Sequence, residues 1–246
     1  MMNNGKIKYC VLSLLFACLL SCGLPKEERQ NVLTEKEKKE GWILMFNGND
    51  FSGWRQYRGT GMPGNWIIED GCMKVFTAEG RKWDQGAGGD IIYDRKKFKD
   101  FELSLEWKNS PCANSGIMYY VHEDKDIMMY QTAPEVQIYD NTGVPGLEGI
   151  YCAGALYDLL PADSSAVNAV GEWNRIIVRV KDGKAAHWLN GKKIVEYTLW
   201  TPEWNEMIKN SKFFGMPDFI TPHDGYIGLQ DHGCPVWFRN IKIREL

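Results

Sequence analysis

The chain has 246 residues, 44% of them hydrophobic, and 29 basic side chains nearly balance 32 acidic ones, for a formal charge of −3. This composition excludes an intrinsically disordered chain, and it lacks the basic excess of a phosphate-tracking protein, so no nucleic-acid partner is expected. Twenty-five glycines and an aromatic set of 10 Trp, 11 Tyr and 10 Phe lean toward turn-rich β structure with flat rings available for stacking.

The first element is an address. Lys6 and Lys8 precede an apolar run over residues 9–20, too short to span a bilayer, which ends in Leu19-Leu20-Ser21-Cys22. The ending resembles a bacterial lipobox, so residues 1–21 are expected to be a lipoprotein signal peptide and Cys22 the lipidation site. Leu15-Phe16-Ala17-Cys18 is a second candidate, and an ordinary cleaved signal with an incidental cysteine is the plainer alternative. Acylation of Cys22 would tether the protein through an N-terminal lipid anchor to a membrane it does not cross. That implies the bacterial cell envelope, periplasmic or surface-exposed. Loss of residues 1–21 removes two lysines and no acid, leaving 27 basic against 32 acidic residues, or −5.

Residues 22–40 are polar and charged and are expected to be a linker, with Thr34 and Glu37 spaced as a helix capping box. The folded domain is expected over 41–246. Beyond Cys22 it holds Cys72, Cys112, Cys152 and Cys234, with no CxxC and no Cys/His spacing for zinc. An oxidising compartment permits a disulfide, but the spacings name no pair. Buried free thiols are the simpler expectation.

Short apolar-alternating segments follow at 42–46, 66–69, 72–76, 101–108, 116–121, 135–139, 174–181, 185–189, 193–197, 226–231 and 236–244. They are separated by Gly, Asn, Asp and Pro. Asp182-Gly183 and Asn190-Gly191 carry tight-hairpin chemistry, so three strands form a meander from 174 to 197. Only 202–213 has helical character. Many strands, hairpin turns, no βαβ rhythm and no Gly-rich phosphate loop predict an antiparallel all-β sandwich without NAD or ATP.

Period-two alternation sorts the faces. Glu135, Gln137 and Tyr139 oppose Val136 and Ile138; Tyr226, Gln230 and His232 oppose Ile227 and Leu229; His187 opposes Trp188, which with Trp237 is expected to close the core. Rings that stack on sugar C–H faces, mixed with carboxylates, amides and imidazoles that bond hydroxyls, suit a carbohydrate. The wetted face of any antiparallel sheet would offer a similar mixture.

The ordered set of short motifs is similar to one family. It opens with Gly41-Trp42, Phe46-Asn47-Gly48 and Ser52-Gly53-Trp54, and continues through Asn114-Ser115-Gly116-Ile117 and Glu135-Val136-Gln137-Ile138-Tyr139-Asp140. Gly154-Ala155-Leu156-Tyr157-Asp158, Gly171-Glu172-Trp173-Asn174 and His187-Trp188-Leu189-Asn190-Gly191 come next. Ser211-Lys212-Phe213, Gly228-Leu229-Gln230-Asp231-His232-Gly233 and Phe238-Arg239-Asn240-Ile241 close it. From about residue 33 to 246 the chain resembles the 3-keto-disaccharide hydrolase domain family. The resemblance implies a concanavalin/glucanase-like jelly-roll sandwich of two curved antiparallel sheets, with the site on a concave face. It also implies cleavage of 3-keto-glycosides or 3-keto-disaccharides. One departure stands out: many members carry an Arg shortly after the Asn-Ser-Gly-Ile turn, where this chain has Tyr119-Tyr120. Where that Arg binds substrate, the corresponding subsite is expected to be altered here.

A C3 ketone acidifies the C2 proton, so a base can form an enolate and the C1 substituent can leave by β-elimination; water adding back gives net hydrolysis. Such a site needs a base, an oxyanion stabiliser and an acid. Glu135, His187 and His232 are the expected catalytic residues. Gln137, Gln230, Tyr139, Asn114 and Asp140 are expected to bind substrate hydroxyls, and Lys212 and Arg239 to stabilise the enolate. Asp140 and Asn114 have a turn-fixing alternative, and Arg239 that of a structural ion pair. No cofactor is required; a divalent cation on two imidazoles and a carboxylate is an open option that no spacing demonstrates. The main alternative is a lectin-like carbohydrate-binding lipoprotein without catalysis.

Overall fold

Asp182 and Gly183, and Asn190 and Gly191, all take positive φ in the computed structural model, the backbone of tight hairpin turns. Between them lies the expected meander. The structure describes residue 1 and residues 30–76, 89–124, 126–143 and 149–246. The expected signal and both lipidation candidates lie outside the described residues.

In chain order the elements are α1 (Glu35–Lys39), β1 (Ile43–Leu44), β2 (Trp54–Gln56), β3 (Trp66–Glu69), β4 (Cys72–Val75), β5 (Ile91–Phe98), β6 (Phe101–Asn109), β7 (Asn114–Val121) and β8 (Glu135–Tyr139). Then come β9 (Asn174–Lys181), β10 (Lys184–Leu189), β11 (Lys192–Thr198), α2 (Pro202–Lys209), β12 (Gly225–Leu229) and β13 (Val236–Glu245). An eight-stranded sheet runs β11-β10-β9-β6-β13-β4-β3, with β1 also on β13; a five-stranded sheet runs β2-β5-β12-β7-β8. The paired strands are antiparallel, and the two sheets form the expected jelly-roll-like sandwich.

The core fills the space between the sheets. Phe101, Leu103, Leu105, Ile176, Val178 and Phe238 from the larger sheet meet Ile91, Ile117, Val136, Ile138, Ile227 and Leu229 from the smaller. Each such side chain contributes about 1.5–3 kcal/mol when fully buried. Val136 and Ile138 face inward, so Glu135 and Gln137 point out of the opposite face of the small sheet.

Four expectations change. The strand β5 was not predicted, because its Asp94-Arg95-Lys96-Lys97 run has no apolar alternation; those four side chains are exposed while Ile91–Tyr93 and Phe98 are buried. Trp188 and Trp237 lie on the outer face of the large sheet instead of closing the core, and Lys74 and Lys108 each sit 4.8 Å over the Trp237 ring. Asn240, at φ 53°, marks a register shift in β13, so Arg239 falls out of phase with buried Ile241 and Ile243. The helix expected over 202–213 ends at Lys209, and the residues beyond it turn back over the small sheet.

The polar segment before the domain also differs from a free tether. Asn31 is buried, exchanges hydrogen bonds with Asn240 (2.7 and 2.8 Å) and donates to the Gly71 carbonyl at 2.7 Å. α1 has the expected Thr34–Glu37 capping box, and Glu37 pairs with Lys242. Asn31→Ala should therefore lower stability by about 1–3 kcal/mol, since it leaves buried backbone groups unpaired. A lower urea midpoint at unchanged slope is the expected readout.

Candidate functional site on the small sheet

Glu135 opens β8, opposite Met118, and Gln137 lies opposite Gly116. Gln230 follows β12 and donates its backbone N–H to the Gly116 carbonyl at 2.9 Å. Gly116 is thus the floor between three side chains, and its missing Cβ is what makes room: a methyl there would lie 2.1 Å from Glu135 Oε1.

The two carboxamides are buried with acceptors to spare. Gln137 Nε2 donates to Asn114 Oδ1 at 3.3 Å, while Gln137 Oε1 and Gln230 Oε1 have no partner among the described residues. Buried polar atoms normally find a partner, so two unpaired acceptors on one face are suited to a ligand's hydroxyls.

The other wall comes from two loops. The chain after 152 runs beside β8, with the Tyr157 N–H donating to the Glu135 carbonyl at 3.0 Å, which sets Tyr157 against Glu135. Asp158, at φ 60°, accepts from the Lys212 backbone N–H at 2.6 Å and from the Tyr151 hydroxyl at 2.8 Å. Phe213 is buried in a stack on Phe219, centroids 4.0 Å apart, which anchors the turn after α2. Lys212 is an exposed residue, yet its ammonium folds inward, 3.9 Å over the Tyr157 ring and 4.9 Å over that of Tyr130.

The electrostatics follow from this packing. Burial pushes the Glu135 carboxyl up to about 8, with the Lys212 charge opposing and Asp90 adding to the rise. Burial likewise pulls Lys212 down, against the charges of Glu135 and Asp158. Burial, with the neighbouring carboxylates of Glu135 and Asp158, lifts the Tyr157 phenol to about 12. A carboxyl this high on the scale titrates near neutrality, where it can both take and give a proton.

Asp231 holds the end of β12. Its N–H donates to Asp90 Oδ1 at 2.9 Å, and its carboxylate accepts from Asn65 (2.7 Å) and from the Gly233 N–H (3.0 Å). His232 is half-buried beside it. Tyr139, half-buried, shares the face of Glu135 and Gln137.

Two expected members stand elsewhere, and one is occupied. His187 is fully buried between the sheets: Ala185 and Leu189 on β10 face the core, and His187 falls in phase with them. Its Nε2 lies 3.3 Å from the Tyr119 hydroxyl, and its ring meets those of Tyr119 and Tyr197 edge-on. The sheet separates it from Glu135. The same placement keeps His187 from joining Glu135 and His232 around a cation, the option left open by the sequence, and no group of three His, Cys, Asp or Glu among the described residues is arranged to hold a metal. Arg239 lies on the outer face of the other sheet, paired with Glu106 at 2.6 Å and stacked on Trp173 at 3.9 Å. Asp140 accepts from the backbone of Cys112, Thr142 and Gly143 and from the Thr142 hydroxyl, so it fixes turns.

Burial lowers His187 to about 4, with the Gly154 backbone opposing. A histidine depressed in the fold contributes stability above its ordinary pKa near 6.5, which is lost as pH falls toward 4. His187→Leu should leave turnover within about threefold and flatten the stability loss across that window. Its cost is about 1–3 kcal/mol for an unpaired Tyr119 hydroxyl. Urea melts at several pH values, alongside activity, check both.

Tyr130, Tyr157, Asp158 and Asp90 were not among the predicted site residues. Tyr157 and Asp158 belong to a motif that pointed to the family, but nothing local indicates that this loop lines β8. A second groove, about 990 Å³ and lined by Arg55, Arg58, Asp94, Glu123 and Asp124, opens at the far edge of the same sheet. Arg55 there already pairs with Asp94 (2.9 Å) and Glu123 (2.6 Å).

A β-sandwich whose sheet face carries a buried carboxyl, two carboxamides with open oxygens and flanking aromatic rings suits a carbohydrate-active protein. Residues 41–244 match the family of the 3-keto-alpha-glucoside-1,2-lyase-like domain, and the chain belongs to this family of carbohydrate-active enzymes. A 3-keto-disaccharide hydrolase of Bacteroides thetaiotaomicron is 39% identical over 230 residues, covering 84% of this chain and 79% of that protein. A crystal structure of a candidate glycosyl hydrolase from Parabacteroides distasonis superposes with a TM-score of 0.78 at 34% identity, covering 89% of this chain and 100% of that one. Another from the same organism gives 0.62 at 28% identity, over 83% of this chain and 99% of that one.

Proposed function

We propose that the protein cleaves the glycosidic bond of 3-keto-glycosides by proton abstraction at C2, with Glu135 as the base. The observation that carries this is the placement of the Glu135 carboxyl: buried on the outward face of the small sheet, over Gly116 and on the same strand face as Gln137, with Lys212 and Tyr157 beside it and its pKa pushed up by burial. Conventional glycosidases pair two carboxyl groups across the bond. A 3-keto sugar needs only one base, because its ketone makes the C2 proton acidic.

Glu135 takes the C2 proton, and the electron pair moves into the C2–C3 bond as the ketone oxygen becomes an enolate. The Lys212 ammonium is suited to stabilise that oxyanion. The enolate re-forms the ketone as the C1–O bond breaks, leaving a C1=C2 double bond, and the departing oxygen takes a proton from Tyr157, a neutral phenol at working pH. Water then adds its hydroxyl at C1 and gives its other proton to the Tyr157 phenolate, while Glu135 returns a proton to C2, which completes net hydrolysis and restores both groups. Gln137 and Gln230 accept from sugar hydroxyls, with Asn114 bonded to Gln137 and Tyr139 on the same strand face beside them. The lipid anchor at Cys22 would present this activity at the cell envelope.

The test is incubation of the purified protein with a 3-keto-glucoside and with its unoxidised parent. Aglycone release from the oxidised sugar alone is the expected result. Cleavage of both at similar rates, or of neither, rejects the proposal; thermal stabilisation by sugars without turnover would favour the lectin-like alternative.

A further inference from the structure

The outer face of the large sheet, on the far side of the sandwich from Glu135, carries three half-buried tryptophans, Trp173, Trp188 and Trp237. Two of them are covered. Lys74 and Lys108 lie over Trp237, and Lys108 and Arg239 over Trp173. Trp188 has neither a cation nor another ring against it among the described residues. The arginines of this face divide in the same way. Arg239 pairs with Glu106 at 2.6 Å, Arg244 with Glu102 at 3.2 Å, and Arg175 reaches the Ser104 hydroxyl at 3.4 Å. Arg179 is exposed and has no partner among the described residues; Glu102, registered directly opposite it, is taken by Arg244.

The open ring and the open guanidinium line one cavity of about 310 Å³. Its floor is Ala186, which β10 sets between Arg179 on β9 and Glu196 on β11. So short a side chain leaves a depression there, and Trp188, two residues along the same face of β10, forms a wall. Lys181 and Lys184 flank the β9–β10 turn at the rim. Glu196 is held by Lys193 at 2.9 Å, so three lining cations stand against one remaining acid, Asp182.

We propose that this cavity binds an acidic sugar residue, a pyranose bearing a carboxylate. The Trp188 ring stacks on the C–H face of the pyranose, and the Arg179 guanidinium takes the carboxylate through two parallel N–H···O bonds. Lys181 and Lys184 add positive charge, and Glu196 accepts from a hydroxyl. A neutral sugar would use the ring and leave Arg179 unsatisfied; an anion without a sugar ring would leave Trp188 bare. No bond is made or broken here, and the site stands whether or not Glu135 is the base on the other sheet.

Calorimetric titration of the full chain with a short oligogalacturonate, and with its neutral methyl ester, tests this. The oligogalacturonate should bind, less tightly as salt is raised, and the ester about tenfold more weakly or worse, the loss expected for a charge-assisted hydrogen bond. Arg179→Ala and Trp188→Ala should each weaken binding by about tenfold or more at an unchanged thermal midpoint for the exposed Arg179, and leave cleavage of a small 3-keto-glucoside as it is. Glu135→Gln should bind as the wild type does. No binding by the wild type, equal binding of the methyl ester, or displacement by inorganic sulfate at equal concentration would each overturn the proposal. So would binding that is lost in Glu135→Gln and kept in Arg179→Ala, which would place the sugar on the small sheet.

Discussion

Glu135→Gln should lower turnover of a 3-keto-glycoside by about 10³-fold, the scale on which a positioned general base acts, while the protein stays folded. The substitution keeps shape and volume and removes only the ability to ionise, so substrate affinity should change little. In the wild type the active form is the carboxylate, so kcat/KM should rise with pH through about 8, the value to which burial lifts this carboxyl. Stability moves the other way. Between the ordinary carboxylate pKa near 4.5 and about 8, the folded chain holds a proton that the unfolded chain has lost, so wild-type stability falls as pH rises through that window. The Gln variant should not show this fall. A rate loss with a flattened stability profile identifies the same residue twice, by independent readouts.

Lys212→Met should cost about 10²–10³-fold in kcat, the range for removing one preorganised oxyanion donor. It carries a second signature. The Lys212 charge opposes the rise in the Glu135 pKa, so its removal should move the ascending limb of the pH–rate profile to higher pH. A lysine that only packed on Tyr157 would lower the rate without displacing the limb. An unchanged profile would therefore count against Lys212 as the group facing Glu135.

The fold was largely legible because the turns carry strong chemistry and the strands alternate cleanly. The meander from β9 to β11 follows directly from Asp182-Gly183 and Asn190-Gly191. What period-two counting does not reveal is which side of a strand faces the core. In β8 the apolar residues decide it; in β10, Ala185, His187 and Leu189 oppose Ala186 and Trp188, and the larger ring is the one turned outward. His187 was accordingly expected at the site and lies behind the sheet. Arg239 was lost to a different cause: β13 belongs to the larger sheet, so neither face of that strand reaches the site, and strand partners across the sandwich are not written in local alternation. β5 stayed hidden because its charged half looks like a loop.

The site was legible only in part for a related reason. Glu135, Gln137 and Gln230 lie on strands, where alternation assigns a face. Tyr157, Asp158 and Lys212 lie on loops whose meeting depends on long-range contacts, such as the Lys212 N–H bond to Asp158 across 54 positions. Lys212 was still anticipated, through its motif. Tyr157 and Asp158 shared that advantage but gave no local hint of their partners.

Solvent deuterium provides the most direct measurement. In D2O, NMR of the products from a 3-keto-glucoside should show deuterium at C2 of the released 3-keto sugar, above the uncatalysed exchange in buffer, and Glu135→Gln should suppress its incorporation together with cleavage. Cleavage with the C2 proton retained would mean direct displacement at C1, and would contradict a mechanism that begins with Glu135 removing that proton.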